Sequence, residues 1–482
     1  MTTPTDLVTM RAGDLAAAIR TKRVSAREVM QAHLDRIARL NPAVTAIVAL
    51  RDPDVLLAEA DAADRDLAAG RLRGPLHGLP HAVKDTAPAR GLVTTLGSPL
   101  FRDTVPAADA PHVARLREAG AILIGKTNTP EFGLGSHSYN RVYGTTRNAY
   151  DPARSAGGSS GGAAVALALR MVPLADGSDF GGSLRNPAAW NGVLGLRPSA
   201  GRVPARTDEV FLPELAVTGP MARNVADLGL LLSVQAGYDP RTPNSLADDP
   251  TIFAEPRPRD LAGLRIGWIG DWGGHLPFEP GILDLCEAGL AVFEARGARV
   301  EPLVPDFDPA AIWRSWLVLR HWLVGASLAP HWRKPEARAE LKPEALWEIE
   351  GGLTLDAFAV QAASVARSAW WRTVCDLFER FDVLALPSAQ VFPFDAGLDW
   401  PRSIAGRPMD TYHRWMEVVV AVTLSGCPAL SVPVGLGPEG LPMGMQLVAP
   451  NRGELDLLRI AAAYEEATGF DRVVPPLAGG PV

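Results

Sequence analysis

The chain has 482 residues, 47 % of them hydrophobic, which is ample for a large buried core in one big domain or a few small ones. A net charge of −7, with 21 % charged residues, provides no basic footprint for a nucleic-acid partner. Three cysteines, Cys286, Cys375 and Cys427, lie far apart without metal-ligand spacing or a disulfide framework, which fits a reducing, cytoplasmic setting. In chain order, the first stretch, MTTPTDLVTMRAGDLAAAIR, contains acidic residues and no apolar run, so no signal peptide is expected. The first sixty residues read as helix. SARE at 25–28 is a capping box, and the helix it starts is expected to run to about Leu40 and stop at Asn41-Pro42. Residues 78–85 read as a short strand ending in Lys84. Residues 109–120 read as a helix with Asp109 near its cap and Gly120 at its end, and 121–126 as a buried strand. AAVALALRM (163–171) reads as a small-residue helix suited to close packing, and 172–179 as a strand. A β-α-β unit is expected over 264–269, 279–296 and 299–305, and a further buried strand over 381–387. Apolar runs such as 163–169 and 418–424 are seven residues long, where a membrane span needs about twenty. Strands alternating with helices imply an α/β fold: a large sheet covered by helices on both faces.

Three short motifs compete to explain what the chain does. GAILIGKT (120–127) fits the P-loop pattern at every position, but its middle residues are an apolar strand whose N–H groups are needed for sheet pairing. It is read as a strand with Lys126 at its exit. SAGGSSGG (155–162) is either a flexible linker or the seat of a working serine. Its GGSSG core also fits the nucleophile elbow, but that elbow must follow a strand, and this one follows the polar NAYDPAR. DFGGSLR (179–185) sets a second serine among glycines. The backbone N–H groups of Gly181, Gly182 and Ser183 are unblocked by side chains there, as an oxyanion hole beside a nucleophile requires.

Taken together, HGLPHAVKD, AGGSSGG and DFGGSLRNPAAWNGVLGLRPSAGRVP occur in an order and spacing that resemble the amidase signature family of serine hydrolases. Ser159 and Ser183 are 24 positions apart, and Lys84 and Ser183 are 99 apart. The likeness is dense over about 75–220, clear again over 427–450, and thin between roughly 250 and 420. It implies the amidase signature fold, with an N-terminal helical segment (1–70) packed on a main domain (71–470). The main domain would carry a variable, tryptophan-rich substrate-covering region at about 306–420. The resemblance implies a triad of Ser183 as nucleophile, Ser159 as bridging serine after a cis peptide, and Lys84 as base. An oxyanion hole is implied from the N–H groups of Phe180, Gly181, Gly182 and Ser183. A lysine serves as base only when neutral, so its pKa of about 10.4 must be lowered by burial. Asp179, Arg185, Asp85 and Ser160 are assigned structural roles. Leu134, Gly135 and Ser136 fall in a loop that often borders the site and are candidate substrate contacts. No metal or other cofactor is expected. WNG (190–192) stands where many relatives read FCG, His81 replaces a bulky apolar residue, and Phe180 replaces a commoner Thr or Ile.

Nine of the twelve tryptophans lie between Trp313 and Trp415, and they either pack amphipathic helices or wall an apolar pocket. The favoured expectation is a free-standing amidase, monomer or homodimer, close in character to nylon-oligomer hydrolases. It would act on small or oligomeric apolar amides, with anilides, esters and carbamates (urethanes) as further substrates. No nucleic-acid or membrane partner is expected. Two alternatives stand beside it: the glutamine-hydrolysing subunit of a tRNA-dependent amidotransferase, and a catalytically inactive binding protein.

Overall fold

Eleven strands form one mixed sheet. In spatial order they are Ile47–Val48, Ile122–Thr127, Pro80–Lys84, Leu174–Asp179, Val217–Ala222, Leu194–Arg197, Ala429–Leu436, Pro442–Val448, Val383–Pro387, Arg265–Trp268 and Arg299–Pro302. The structure is a computed structural model that describes residues 4–205, 207–212 and 215–479. Pro80–Lys84 pairs in parallel with both Ile122–Thr127 and Leu174–Asp179. The middle of the sheet, from Leu174–Asp179 to Val383–Pro387, is antiparallel throughout. It returns to parallel pairing where Arg265–Trp268 joins Val383–Pro387 and Arg299–Pro302.

Both faces of this sheet are covered. In Val383–Pro387, Val383 and Ala385 belong to the core cluster on one face of the sheet, whereas Leu384 and Leu386 belong to the cluster that holds Trp313, Trp316 and Trp370. That two-residue alternation is how a strand serves two cores at once. The stretch read as a P-loop look-alike is the buried strand Ile122–Thr127, and its Lys126 Nζ donates to the carbonyl oxygens of Lys84 and Ala87. Gly161–Ala168 is buried along its whole length, as its small side chains allow. No helix among the described residues is long and apolar enough to cross a membrane.

The capping box at Ser25 and Glu28 is present, but the helix it begins, Ala26–Val44, passes the expected stop at Asn41-Pro42 by one short turn. The side chain of Asn41 explains the exit. It accepts the N–H groups of Ala46 and Ile47 and donates to the Ile47 carbonyl, while Thr45 turns into the left-handed region. Asp109 does not cap the helix Pro111–Glu118; it accepts the Arg90 N–H at 2.6 Å and pairs with Arg117 at 3.2 Å.

Candidate active site

Lys84 ends its strand fully buried. Its Nζ lies 2.7 Å from Ser159 Oγ, 3.0 Å from Ser160 Oγ and 2.9 Å from Ser178 Oγ. Burial brings its pKa down to about 7, against the pull of Asp176 and Asp179. A neutral amine has two N–H donors and one lone pair. Ser160 commits its own hydroxyl to the Ser178 carbonyl at 3.3 Å, so it can only accept from Lys84. With Ser178 as the second acceptor, the lone pair is directed to Ser159. The strand end is fixed by Asp176, which accepts the Lys84 backbone N–H at 3.2 Å and faces His81 Nε2 at 3.0 Å and His112 Nε2 at 3.6 Å. Burial alone would raise the Asp176 carboxyl, but the two imidazoles outweigh it and hold it well below the usual carboxylate range.

The loop before Gly161–Ala168 brings Ser159 to this amine. The Gly158–Ser159 peptide is cis, and Gly157 adopts a φ of +74°, a conformation that favours glycine. The Ser160 N–H donates to the Ser183 carbonyl at 3.1 Å, so the two serine loops are directly joined. Ser160 therefore both braces the loops and touches the lysine. Asp85, given a structural role from the sequence, accepts from Thr95 and Gly97.

Ser183 follows the strand Leu174–Asp179. It is 7 % exposed where Ser159 is 1 %. The turn between is held by Asp179, whose carboxylate accepts from Leu184 N–H, from Nε and Nη2 of Arg185 and from Nη1 of Arg197. Burial would raise this carboxyl, yet the two guanidiniums hold it well below the ordinary range. The same carboxylate takes the Gly182 N–H at 2.9 Å. Of the four N–H groups expected to form the oxyanion hole, that of Gly182, a residue with a φ of +86°, is thus engaged by Asp179. The N–H groups of Phe180, Gly181 and Ser183 have no protein acceptor among the described residues.

The 131–136 loop flanks Ser159. A Cβ placed on Gly133 would lie 3.4 Å from Ser159 Oγ, and one on Gly135 would lie 3.8 Å from the Tyr412 ring. Leu134 is buried, with its carbonyl accepting Lys342 Nζ at 2.8 Å. Ser136 is buried and donates to Asn186 Oδ1 at 3.1 Å, so the sequence-read contacts Leu134 and Ser136 are engaged within the protein. Gly133 is the residue of this loop set against Ser159.

Most of the buried tryptophans are core. Trp190 and Trp415 stack at 5.6 Å, and Trp370 packs on Trp272 and Phe307. Trp316, on the helix Pro309–Trp332, is the exception that reaches the candidate site. It lies edge-on to Phe180 at 5.5 Å and within contact distance of Gly181. Beside it, buried Arg320 holds Glu348 Oε1 at 2.6 Å and the Tyr412 hydroxyl at 2.7 Å. Its guanidinium lies 5.0 Å from the Phe180 ring centre. A recess of about 700 Å³ adjoins the 131–136 loop, where Tyr139, Trp347 and Trp400 stand among charged groups such as Lys342 and Glu344. Sequence reading missed Ser178, Asp176 and Gly133, and also the Arg320–Glu348–Tyr412 group, whose members are too far apart in the chain to signal one another. No cluster of three or more His, Cys, Asp or Glu side chains among the described residues could hold a metal ion.

The family model described as Amidase matches residues 28–458. A glutamyl-tRNA(Gln) amidotransferase subunit from Acidothermus cellulolyticus is 36 % identical, with 96 % of this chain and 95 % of that protein covered. An acylamidase from Rhodococcus erythropolis is 33 % identical, with 95 % of each covered. Among solved structures, a bacterial aryl acylamidase of the amidase signature family superposes with a TM-score of 0.91, at 29 % identity over 98 % of this chain and 99 % of that one. The 6-aminohexanoate cyclic dimer hydrolase, complexed with substrate, superposes with a TM-score of 0.86, at 25 % identity over 98 % of this chain and 100 % of that one. The chain belongs to the amidase signature family. It is a hydrolase of C–N bonds.

Proposed function

We propose that this chain is a free-standing amidase that cleaves small or oligomeric apolar amides through an acyl-enzyme on Ser183. The observation that carries this reading is Lys84 Nζ at 2.7 Å from Ser159 Oγ, with burial lowering the amine pKa to about 7. Neutral Lys84 takes the proton of Ser159 as Ser159 takes that of Ser183, and Ser183 Oγ attacks the carbonyl carbon. The N–H groups of Phe180, Gly181 and Ser183 receive the oxyanion. Ser159 returns the proton to the leaving nitrogen, Lys84 restores it, and water then releases the acyl group. Anilides, esters and carbamates need no further residue, because attack and leaving-group protonation are the same. In this reading residues 71–470 are the catalytic unit, with 1–70 packed upon it, and the protein works in the cytoplasm without another kind of chain. The likeness to the aryl acylamidase and the cyclic dimer hydrolase over nearly the whole chain supports it.

A second reading rests on the 36 % identity to an amidotransferase subunit, under which the chain would release ammonia from glutamine within a complex. The deciding experiment offers the purified chain, alone, a panel of p-nitroanilides, amides, esters, carbamates and glutamine. Turnover of anilides without partners supports the first reading. Turnover of glutamine alone, and only with added partner proteins, would replace it with the second.

A further inference from the structure

Trp316 and Arg320 stand one turn apart on the helix Pro309–Trp332 and pack on the same short segment, Phe180 and Gly181. Each carries an unused donor. Trp316 Nε1 is buried without a hydrogen-bond partner among the described residues, as is Trp313 Nε1 one turn before it. The edge of the indole next to that N–H is the one that meets Gly181: a Cβ there would lie 3.0 Å from Trp316 Cη2 and 3.2 Å from Cζ2. Arg320 uses Nε and Nη2 on Glu348 and Tyr412, while its Nη1 has no acceptor among the described residues. Its charge is already matched. Glu348 Oε1 lies 2.6 Å from Arg320 Nε, and His321 Nδ1 stands 3.0 Å from the other carboxylate oxygen. Next to the loop of the candidate nucleophile, then, two N–H donors lie unused on one helix face without net positive charge.

We propose that Trp316 Nε1 and Arg320 Nη1 are the donor pair of an acyl-side subsite for a neutral oxygen acceptor near the scissile carbonyl. An ether or alkoxy oxygen, or the next carbonyl along an oligoamide, has that chemistry. The proposal rests on Ser183 being the acyl acceptor. The matched charge of Arg320 is what selects a neutral acceptor: a carboxylate would lose its hydration without gaining an unpaired cation. Phe180 is half-buried and packs on both residues, so the subsite requires its side chain to swing aside for an acyl group on Ser183. Specificity of this kind follows from an unmet donor, because a substrate lacking the acceptor leaves the buried Trp316 Nε1 unpaired.

The test uses two p-nitroanilides that differ at one position, butanoyl and methoxyacetyl, in which an ether oxygen replaces a methylene. The ratio of their kcat/KM values is measured in the wild type, in Trp316→Phe and in Arg320→Lys. Comparing each variant's ratio with the wild-type ratio cancels the intrinsic reactivity of the two substrates. The expected result is a fall of about five- to tenfold in that ratio in each variant, the size of one lost hydrogen bond. Replacement of Trp316 by benzothienylalanine, which puts sulfur in place of the N–H at nearly constant shape, should reproduce the fall if Trp316→Phe does not fold. Equal loss on both substrates, with the ratio unchanged, would overturn the subsite and leave Trp316 as packing. If the wild type cleaves neither anilide and takes up no fluorophosphonate, the amidase reading itself fails, a pattern distinct from an unchanged ratio.

Discussion

Lys84 Nζ lies 2.7 Å from Ser159 Oγ, and both side chains are shut away from water at the end of one strand and the start of one helix. Ser160, one residue on, links this pair to the Ser183 loop through its N–H. Three chain segments distant in sequence therefore meet in one hydrogen-bonded unit.

Substituting the members of that unit should separate their roles. Ser183→Ala should abolish turnover and covalent labelling, since it removes the acyl acceptor. Lys84→Ala and Ser159→Ala should lower kcat by about 10²- to 10⁴-fold, the usual worth of positioned acid–base groups. Steady-state kinetics on a p-nitroanilide reads all three. Full activity in Ser183→Ala would reverse the assignment of the two serines.

The pH dependence has two signs that must agree. The rate should rise as pH passes about 7, where Lys84 loses its proton. In stability the same titration also favours high pH. The unfolded lysine titrates near 10.4, so between pH 7 and 10 the unfolded chain holds a proton that the native chain does not. Burying Lys84 is thus most unfavourable at and below pH 7, by about 5 kcal/mol, and the penalty fades toward pH 10. Lys84→Met should therefore raise Tm relative to the wild type most at pH 7 and least near pH 10, while remaining inactive. A Tm difference that does not change with pH would show that Lys84 is protonated in the native state.

Asp179→Asn should destabilise the protein by about 3–5 kcal/mol, because it leaves Arg185 and Arg197 buried without their counter-charge. Denaturant unfolding measures it. The carboxylate's contribution is present above the unfolded pKa near 3.9 and is lost as pH falls through the lower native value. A variant of unchanged midpoint would remove Asp179 from the support of the Gly182 turn.

Under the proposed mechanism the acyl group on Ser183 meets Phe180 and Trp316, so apolar acyl groups should react faster than charged ones of similar size. Burying a modest apolar group contributes about 1.5–3 kcal/mol; if expressed in the transition state this is roughly a ten- to hundredfold preference in kcat/KM. A p-nitroanilide series from acetyl to benzoyl to succinyl tests it. A preference for the succinyl member would contradict it.

Lys84, Ser159 and Ser183 were legible because each sits in a short and distinctive stretch. Lys84 closes an apolar strand, and the two serines lie among glycines that neither a helix nor a strand interior favours. The alternation of apolar strands and helices was enough to read a sheet covered on both faces. What stayed hidden depends on direction rather than residue type. Gly182 looks like any other donor in DFGGSLR until the fold of the turn, in which it takes a positive φ, sets its N–H against Asp179. Ser178 lies five positions before Ser183, and only the pleat of the Leu174–Asp179 strand brings its hydroxyl to Lys84. Arg320, Glu348 and Tyr412 meet only because three separate segments pack together. Of the two readings of the tryptophan density, core packing fits most of the buried members, with Trp316 the one that touches the loop of the candidate nucleophile.

The most direct measurement is to locate a covalent adduct. The purified chain is treated with a fluorophosphonate, digested, and the modified peptide sequenced by mass spectrometry. The modification should fall on Ser183 alone and rise with pH through about 7 in step with the rate. Modification of Ser159 in its place, or none in a chain that still hydrolyses anilides, would contradict the mechanism.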